Sequence, residues 1–296
     1  MDQISDFSWE PINLGGYANF ENLLSAEVVQ HGPLYWRRVR PFFFRPLVEF
    51  EEYDPAETPL PVNGVVGLTQ HAVPPTAPAN SRLNFLFFED TRNYSSGGLD
   101  RYRRKQLNQA ARHFAVRRIV DLSHFQKKAH PVFLSFYERT HYEYGSQRRD
   151  PAEFARWAEA LFRLPGVLIL GGYEGDELVG VSLSFLLKDT VIYTSFFCTT
   201  DSMRRFLADL VLHAIRSAAA ANPAIARISV GMYKGNKGLD DFKFLRGATC
   251  VQKRALIRGN PLARMMLKIA WPRAHAKLVG VLPDSFPSSV ADHQRP

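Results

Sequence analysis

The chain has 296 residues, 46% apolar and 22% charged, a balance that excludes intrinsic disorder. That length is long for one hydrophobic core and comfortable for two. Against 29 Asp and Glu stand 37 Lys and Arg, so the net charge is +8 and the pI is near 9.5. Such a surface attracts polyanions, among them coenzyme A, acyl carrier protein, transfer RNA and anionic lipid, and singles out none of them.

The first ten residues hold Asp2, Asp6 and Glu10 and no apolar run, which does not read as a signal or transit peptide. No stretch reaches the ~18 apolar residues of a membrane-spanning helix. Residues 1 to about 95 read as strand-rich, with strands expected in 36–53, 65–73 and 83–89 and a proline loop at Pro74, Pro75 and Pro78. From Leu99 the apolar spacing turns helical and unusually basic, with Arg101, Arg103, Arg104, Lys105 and Arg112 on the helix and Arg117, Arg118, Lys127 and Lys128 after it. Helices are then expected over 131–142 and 151–162, the second with Pro151 in its first turn. Strands follow at 167–173, 177–187 and 191–198, the first two joined by the turn Glu174-Gly175-Asp176. A helix capped by Thr200 or Asp201 is expected over 202–221, then a strand at 225–232, a short helix at 239–245 and a strand at 250–257.

Cys198 and Cys250 sit in no C-x-x-C or Cys/His spacing, so neither a zinc site nor a disulfide framework is indicated, and a reducing, cytoplasmic setting fits. Cys198, at a strand end, could be a nucleophile, but no paired His is identifiable and a buried structural thiol is the favoured reading. Glu138 and His141 stand three residues apart, share a helix face and could relay a proton; solvated surface residues at that spacing are the plainer account. The segment 260–279 places Leu262, Met265, Met266 and Ile269 on one face, with Arg264, Lys268, Arg273 and Lys277 elsewhere. Packing of that face on its own domain, with a bend at Pro272, is the expected arrangement; peripheral contact with an anionic membrane is the alternative. Residues 284–296 read as a disordered tail.

Three local stretches resemble the Fem-type branch of the GNAT N-acyltransferase superfamily. FYERTHYEYGSQRRDPAEF, residues 136–154, is similar to its paired opening helices. LVGVSLSF after YEGDE is similar to its second and third strands, and GLDDFKFLRGA, residues 238–248, resembles its g-l-x-x-F-K-x-x-f-G signature. The basic run LDRYRRKQLNQAARHFAVRRI also resembles the connector between the two domains of such proteins. The resemblance implies an α/β (α+β) fold with a GNAT-like, mixed and mostly antiparallel sheet, flanking helices and two GNAT-like domains, the first shortened or diverged. The implied organisation is a first domain at 1–98, a basic connector helix at 99–120, the acyltransferase domain at 121–260, an amphipathic helix at 261–283 and the tail.

What the resemblance implies chemically is transfer of an acyl or aminoacyl group from acyl-CoA, acyl carrier protein or aminoacyl-tRNA to a primary amine, with no metal and no tightly bound cofactor. The strands at 191–198 and 225–232 would splay and expose backbone to the donor. Lys243, next to Phe242, would steady the oxyanion and Tyr233 would return a proton to the leaving group, although a solvated lysine and packing aromatics fit the same residues. Donor contacts would come from Phe197, Cys198, Thr199, Arg204 and Arg205, on the segment where coenzyme A-dependent relatives place a glycine-rich loop. Here CTTDSMRRF holds no glycine. The missing loop weakens the case for coenzyme A and leaves the basic cluster at 101–128 as a landing place for a larger anionic donor, or as a merely solvated helix. The rival class is a non-catalytic binding module, for nucleic acid or a protein partner, on the same fold.

Overall fold

The computed structural model describes residues 7–270 apart from 24–25, 41, 62–66, 90, 142–144, 234 and 236, together with Pro272 and His275; the expected tail lies outside the described residues. In chain order the elements begin with α1 (Leu14–Leu23), β1 (Val28–His31), β2 (Leu34–Arg40), β3 (Phe43–Pro46), β4 (Leu68–Ala72) and β5 (Ser81–Phe88). Then come α2 (Arg101–His113), β6 (Ala115–Arg118), α3 (Leu122–Thr140), α4 (Pro151–Arg163), β7 (Val167–Glu174), β8 (Glu177–Leu187) and β9 (Thr190–Cys198). The chain continues through α5 (Thr200–Arg204), α6 (Leu207–Ala220), β10 (Arg227–Met232), α7 (Lys237–Phe244), β11 (Thr249–Gly259) and α8 (Pro261–Ala270). Among the described residues no helix is long and apolar enough to cross a membrane.

Two compact units result, and they do not follow chain order. One holds residues 1–24 and 87–231, the other 25–86 and 232–296. The sequence reading divided the chain near residue 98 and kept 232–260 with the second half. The physical reason for the difference is pairing: β11 lies between β4 and β5, with Ala255 opposite Ala72 and Gly259 opposite Leu68, so the last strand belongs with the early ones.

The five early strands and the last one form the order β1-β2-β3-β4-β11-β5. Every residue of β4 is buried. Its polar members therefore need partners, and Gln70 has them: its amide donates to Ser81 Oγ at 2.7 Å and its carbonyl oxygen accepts from Arg45 at 3.1 and 2.7 Å. His71 differs. Fully buried and edge-on to Trp36 at 6.0 Å, neither ring nitrogen has a hydrogen-bond partner among the described residues. Burial first, then the charge of Arg258, holds its imidazole down to about 4.

The other unit carries β10-β9-β8-β7-β6. On β8, Phe185 takes Tyr17 and Phe20 of α1 at 5.2 and 6.4 Å, a helix that the strand-rich reading of the first 95 residues omitted. Its apolar residues are spread over too short a run for periodicity to separate helix from strand. The connector helix ends at His113 and gives way to β6, which pairs with β7 from Ala115↔Tyr173 to Arg118↔Leu170; Arg117 and Arg118 thus lie on an edge strand. Likewise, α3 starts nine residues before Pro131, where the sequence reading opened it. Pro131 costs one helical hydrogen bond, and the burial of Phe125, Ala129, Val132 and Phe133 on one stripe outweighs that loss.

Helices cover both faces of this sheet. Phe197 of β9 pairs with Val181 and meets Phe133, Trp157 and Phe136 at 5.7, 6.3 and 6.4 Å. The neighbouring Gly180, which by alternation points the other way, lies under Leu207 at the start of α6. Gly172 is paired with Gly180, and the two form a notch for that leucine: a methyl group on Gly180 would stand 2.5 Å from Leu207 Cδ2, and one on Gly172 2.6 Å from Cδ1. The helix expected over 202–221 is in fact two, broken at Phe206, whose φ of 67° lies in the left-handed region, and its cap is Thr199 rather than Thr200 or Asp201.

Among the described residues the apolar stripe of α8 is left uncovered. Leu262, Met265, Met266 and Ile269 are 64%, 53%, 65% and 72% exposed, against the expectation of burial. Periodicity reports that a helix has an apolar face and is silent on what meets it.

Two measurements check this account. Gly180→Ala should lower stability by ~1–3 kcal/mol through overpacking, and adding Leu207→Ala should cost less than the sum of the single losses, read from denaturant midpoints in a double-mutant cycle. His71 is the second. With a folded value near 4 and an unfolded one near ~6.5, the unfolded chain binds the extra proton between those limits. Stability therefore falls as pH drops through that window, by about 3 kcal/mol from pH 7 to 4, and His71→Leu should flatten that part of the slope.

Candidate functional site

Three consecutive pairs, Arg227↔Thr190, Ile228↔Val191 and Ser229↔Ile192, join β10 to β9 in parallel, and there the register ends. Along its other edge β9 stays with β8 to Gly180↔Cys198, but the register slips: Ser184 pairs with Tyr193 and Leu183 with Ser195. Thr194 is the extra residue. A bulge bends its strand and increases the local twist, so β9 turns away two residues after its last pairing with β10. The Thr194 hydroxyl donates to Leu183 O at 3.1 Å, taking up a carbonyl that the slip affects. From Tyr193 onward, the β9 edge on the β10 side has no strand partner in the register among the described residues. Nothing in TVIYTSFFC marks that bulge; it carries no glycine and no proline.

The far end of β9 is held. Arg139 of α3 donates to Cys198 O at 3.1 Å and to Thr200 Oγ1 at 3.2 Å. On either side of Arg139 in the chain stand Glu138 and His141, and both line a groove of about 480 Å³ with Leu134, Tyr137 and Arg149. His141 ends α3 with φ 47°, a left-handed conformation that turns the chain out of the helix. The Arg149 guanidinium lies 4.8 Å from the centre of the Tyr137 ring, and its carbonyl oxygen is 3.2 Å from His130 Nε2. One carboxylate, one imidazole, one guanidinium and one phenol around an open groove suit a polar substrate that carries both an amine and an anionic group.

Sequence reasoning paired Glu138 with His141 from their spacing and missed Tyr137, Arg139 and Arg149. The signal available was the double arginine of GSQRRD, whose first member, Arg148, lies 4.4 Å from the Trp157 ring centre. A loop that spends one arginine on packing leaves the other for the groove.

The segment after β9 is mostly committed to itself. Thr199 Oγ1 accepts from Ser202 N at 3.3 Å, and Thr199 N donates to Val179 O at 2.9 Å. Arg205 forks onto Glu174 at 2.6 and 2.5 Å, reaches Asp201 at 2.5 Å and lies 4.8 Å from the Phe114 ring centre. That fork holds the Glu174 carboxyl below its usual range. Cys198 is buried, and burial pushes its thiol up, away from the thiolate. Arg204, by contrast, is exposed. Phe206 offers α6 no side-chain cap, while Asp209 in its first turn supplies negative charge near the helix start.

Lys243, Phe242 and Tyr233 lie in the other unit. Lys243 is half-buried near the end of α7, and Ala248 N donates to its carbonyl at 3.1 Å. The Phe242 ring carries the Arg246 guanidinium 3.5 Å from its centre. Tyr233 donates its backbone N–H to Asn84 O at 2.9 Å and sits 6.0 Å from Phe244. Burial, followed by the charges of Asp240, Cys250 and Asp241, pushes its phenol up, so it keeps its proton at neutral pH.

No family model matches the sequence, and a comparison with curated proteins returns no match. Solved structures do match in shape. FemX aligns with a TM-score of 0.59 at 10% identity, over 90% of this chain and 96% of that one. L-PGS from Bacillus licheniformis aligns at 0.57 and 9%, over 94% and 99%. The C-terminal domain of a proposed lysylphosphatidylglycerol synthetase from Agrobacterium fabrum aligns at 0.57 and 11%, over 90% and 93%. Identities this low speak for architecture, not chemistry. With its mixed, mostly antiparallel strands and its flanking helices, the chain shares the fold of these solved structures.

Proposed function

We propose that the protein is an N-acyltransferase that moves an acyl or aminoacyl group from a thioester or ester donor to a primary amine. The observation that carries the reading is the departure of β9 from β10 at the Thr194 bulge, within a unit whose α3 ends in a mixed-charge groove. A strand edge without a partner offers backbone donors and acceptors to a donor molecule's carbonyl and amide groups. The groove at Glu138, His141 and Arg149 is the proposed entry for the amine acceptor.

In the reaction, the amine nitrogen attacks the donor carbonyl carbon, a C–N bond forms and the C–S or C–O bond to the carrier breaks. The ammonium form of the acceptor must first lose a proton, and Glu138 with His141 is assigned that step. Lys243 keeps the oxyanion role that the GLDDFKFLRGA resemblance implies, because an ammonium acts far more strongly on a developing charge in a desolvated site than in water. Tyr233, which holds its proton, is assigned its return to the leaving thiolate or alkoxide.

The donor remains acyl-CoA, acyl carrier protein or aminoacyl-tRNA. The self-satisfied Thr199–Arg205 segment argues against a loop that wraps a pyrophosphate, and leaves Arg204 as the exposed cation there. Arg101, Arg104, Lys105 and Arg112 of α2 are exposed, which favours a large anionic carrier.

Native mass spectrometry and thermal shift with the three donors test the reading, and silence from all three ends it. For the donor that binds, Glu138→Gln and His141→Asn should each lower kcat/KM by about 10²-fold or more, with the double variant little worse than either. Asn tolerates the left-handed conformation of position 141, so the turn survives. Lys243→Ala should cost about 10²-fold in kcat, and unchanged turnover in a folded variant removes that assignment. A macromolecular donor should bind with a steep dependence on salt.

A further inference from the structure

Among the described residues nothing covers the stripe on α8, so its occupant has to be argued from its surroundings. Four large apolar side chains, Leu262, Met265, Met266 and Ile269, fall at positions i, i+3, i+4 and i+7, more than half of each exposed to solvent. A soluble protein rarely leaves such a stripe on one helix without a use for it. Opposite the stripe are Arg264, half-buried, and Lys268, exposed.

Charge decides among possible occupants. The charged residues of α8 are Arg264 and Lys268, both basic, and the sequence has no Asp or Glu from Phe242 to Pro283. A purely apolar partner would use the stripe and leave the uniformly basic character of the helix without a role. A surface that offers hydrocarbon beneath a layer of negative charge answers both features, the stripe entering the acyl region and long basic side chains reaching the phosphates.

We propose that α8 is an interfacial anchor that lays the protein on an anionic lipid surface through Leu262, Met265, Met266 and Ile269, with Lys268 among the basic residues that select negative headgroups. The anchor is reversible, since ten residues with four apolar side chains give far less affinity than a spanning helix. It is independent of the acyl-transfer reading and holds whether or not the protein proves to be an enzyme.

The test is co-sedimentation of the full chain with vesicles of phosphatidylcholine alone and of phosphatidylcholine mixed with phosphatidylglycerol, at low and at physiological salt. Binding to the mixed vesicles and not to the neutral ones is expected. Met265→Gln/Ile269→Gln should weaken it at least about ten-fold, and Lys268→Gln about five-fold, with the thermal midpoint of both variants unchanged. Three results overturn the proposal: no binding to the mixed vesicles; binding unaffected by the stripe variant, which assigns it to α2 or another basic region; or a stripe variant with a clearly lowered thermal midpoint or a changed oligomeric state without lipid, which means that the stripe is covered by this chain or a second copy.

Discussion

A strand can serve two neighbours only while it keeps register with both, and β9 gives this up at Thr194. One inserted residue keeps the ladder to β8 and ends the one to β10. The consequence is a length of strand paired to β8 on one edge and, among the described residues, with no strand in register on the other. Unpaired backbone groups are costly when buried and useful when a ligand can meet them. The rest of that unit can be understood as what keeps this bent strand in place.

Three contacts do so from different sides. Phe197 is locked among the rings of Phe133, Trp157 and Phe136, so the strand beyond the bulge cannot swing back without opening an aromatic core. Arg139 ties the last carbonyl of β9 to α3. On the other face, the Gly172–Gly180 notch lets Leu207 seat the start of α6 close to the sheet. Small residues where a helix must come near, large ones where it must be held off: the same rule sets both layers.

Much of the secondary structure was legible because its causes are local. The strands β7 to β9 announce themselves by apolar runs and the Gly175-Asp176 turn, α4 by Asp150, Pro151 and its apolar spacing, and the short α7 by its own pattern. What could not be read depends on partners far along the chain. That β11 sits between β4 and β5 is a contact across some 180 residues, and no window of sequence contains it. Thr194 is invisible for a different reason: a bulge without glycine is chosen by the two neighbouring strands and not by the residue itself. The site shows the same division. Glu138 and His141 line one groove although His141 already stands past the helix end, and Arg149 reaches that groove from a loop whose path the spacing does not fix.

Net charge, the coarsest quantity in the sequence, becomes informative only once the paired cations are set aside. Arg37 and Arg45 bond Glu49, Arg205 is held by Glu174 and Asp201, and Lys253 bonds Glu52, so these charges serve the fold. Exposed cations stand on α2, at Arg101, Arg104, Lys105 and Arg112, and on α8 at Lys268. On α2 the cations flank a helix whose apolar residues Leu107 and Ala110 are buried, so that surface can attract a polyanion by charge alone. On α8 the same kind of charge accompanies a stripe left open to solvent. Unequal apolar exposure makes them two different surfaces, one suited to a fully hydrated anion and the other to an anionic layer with an oily interior.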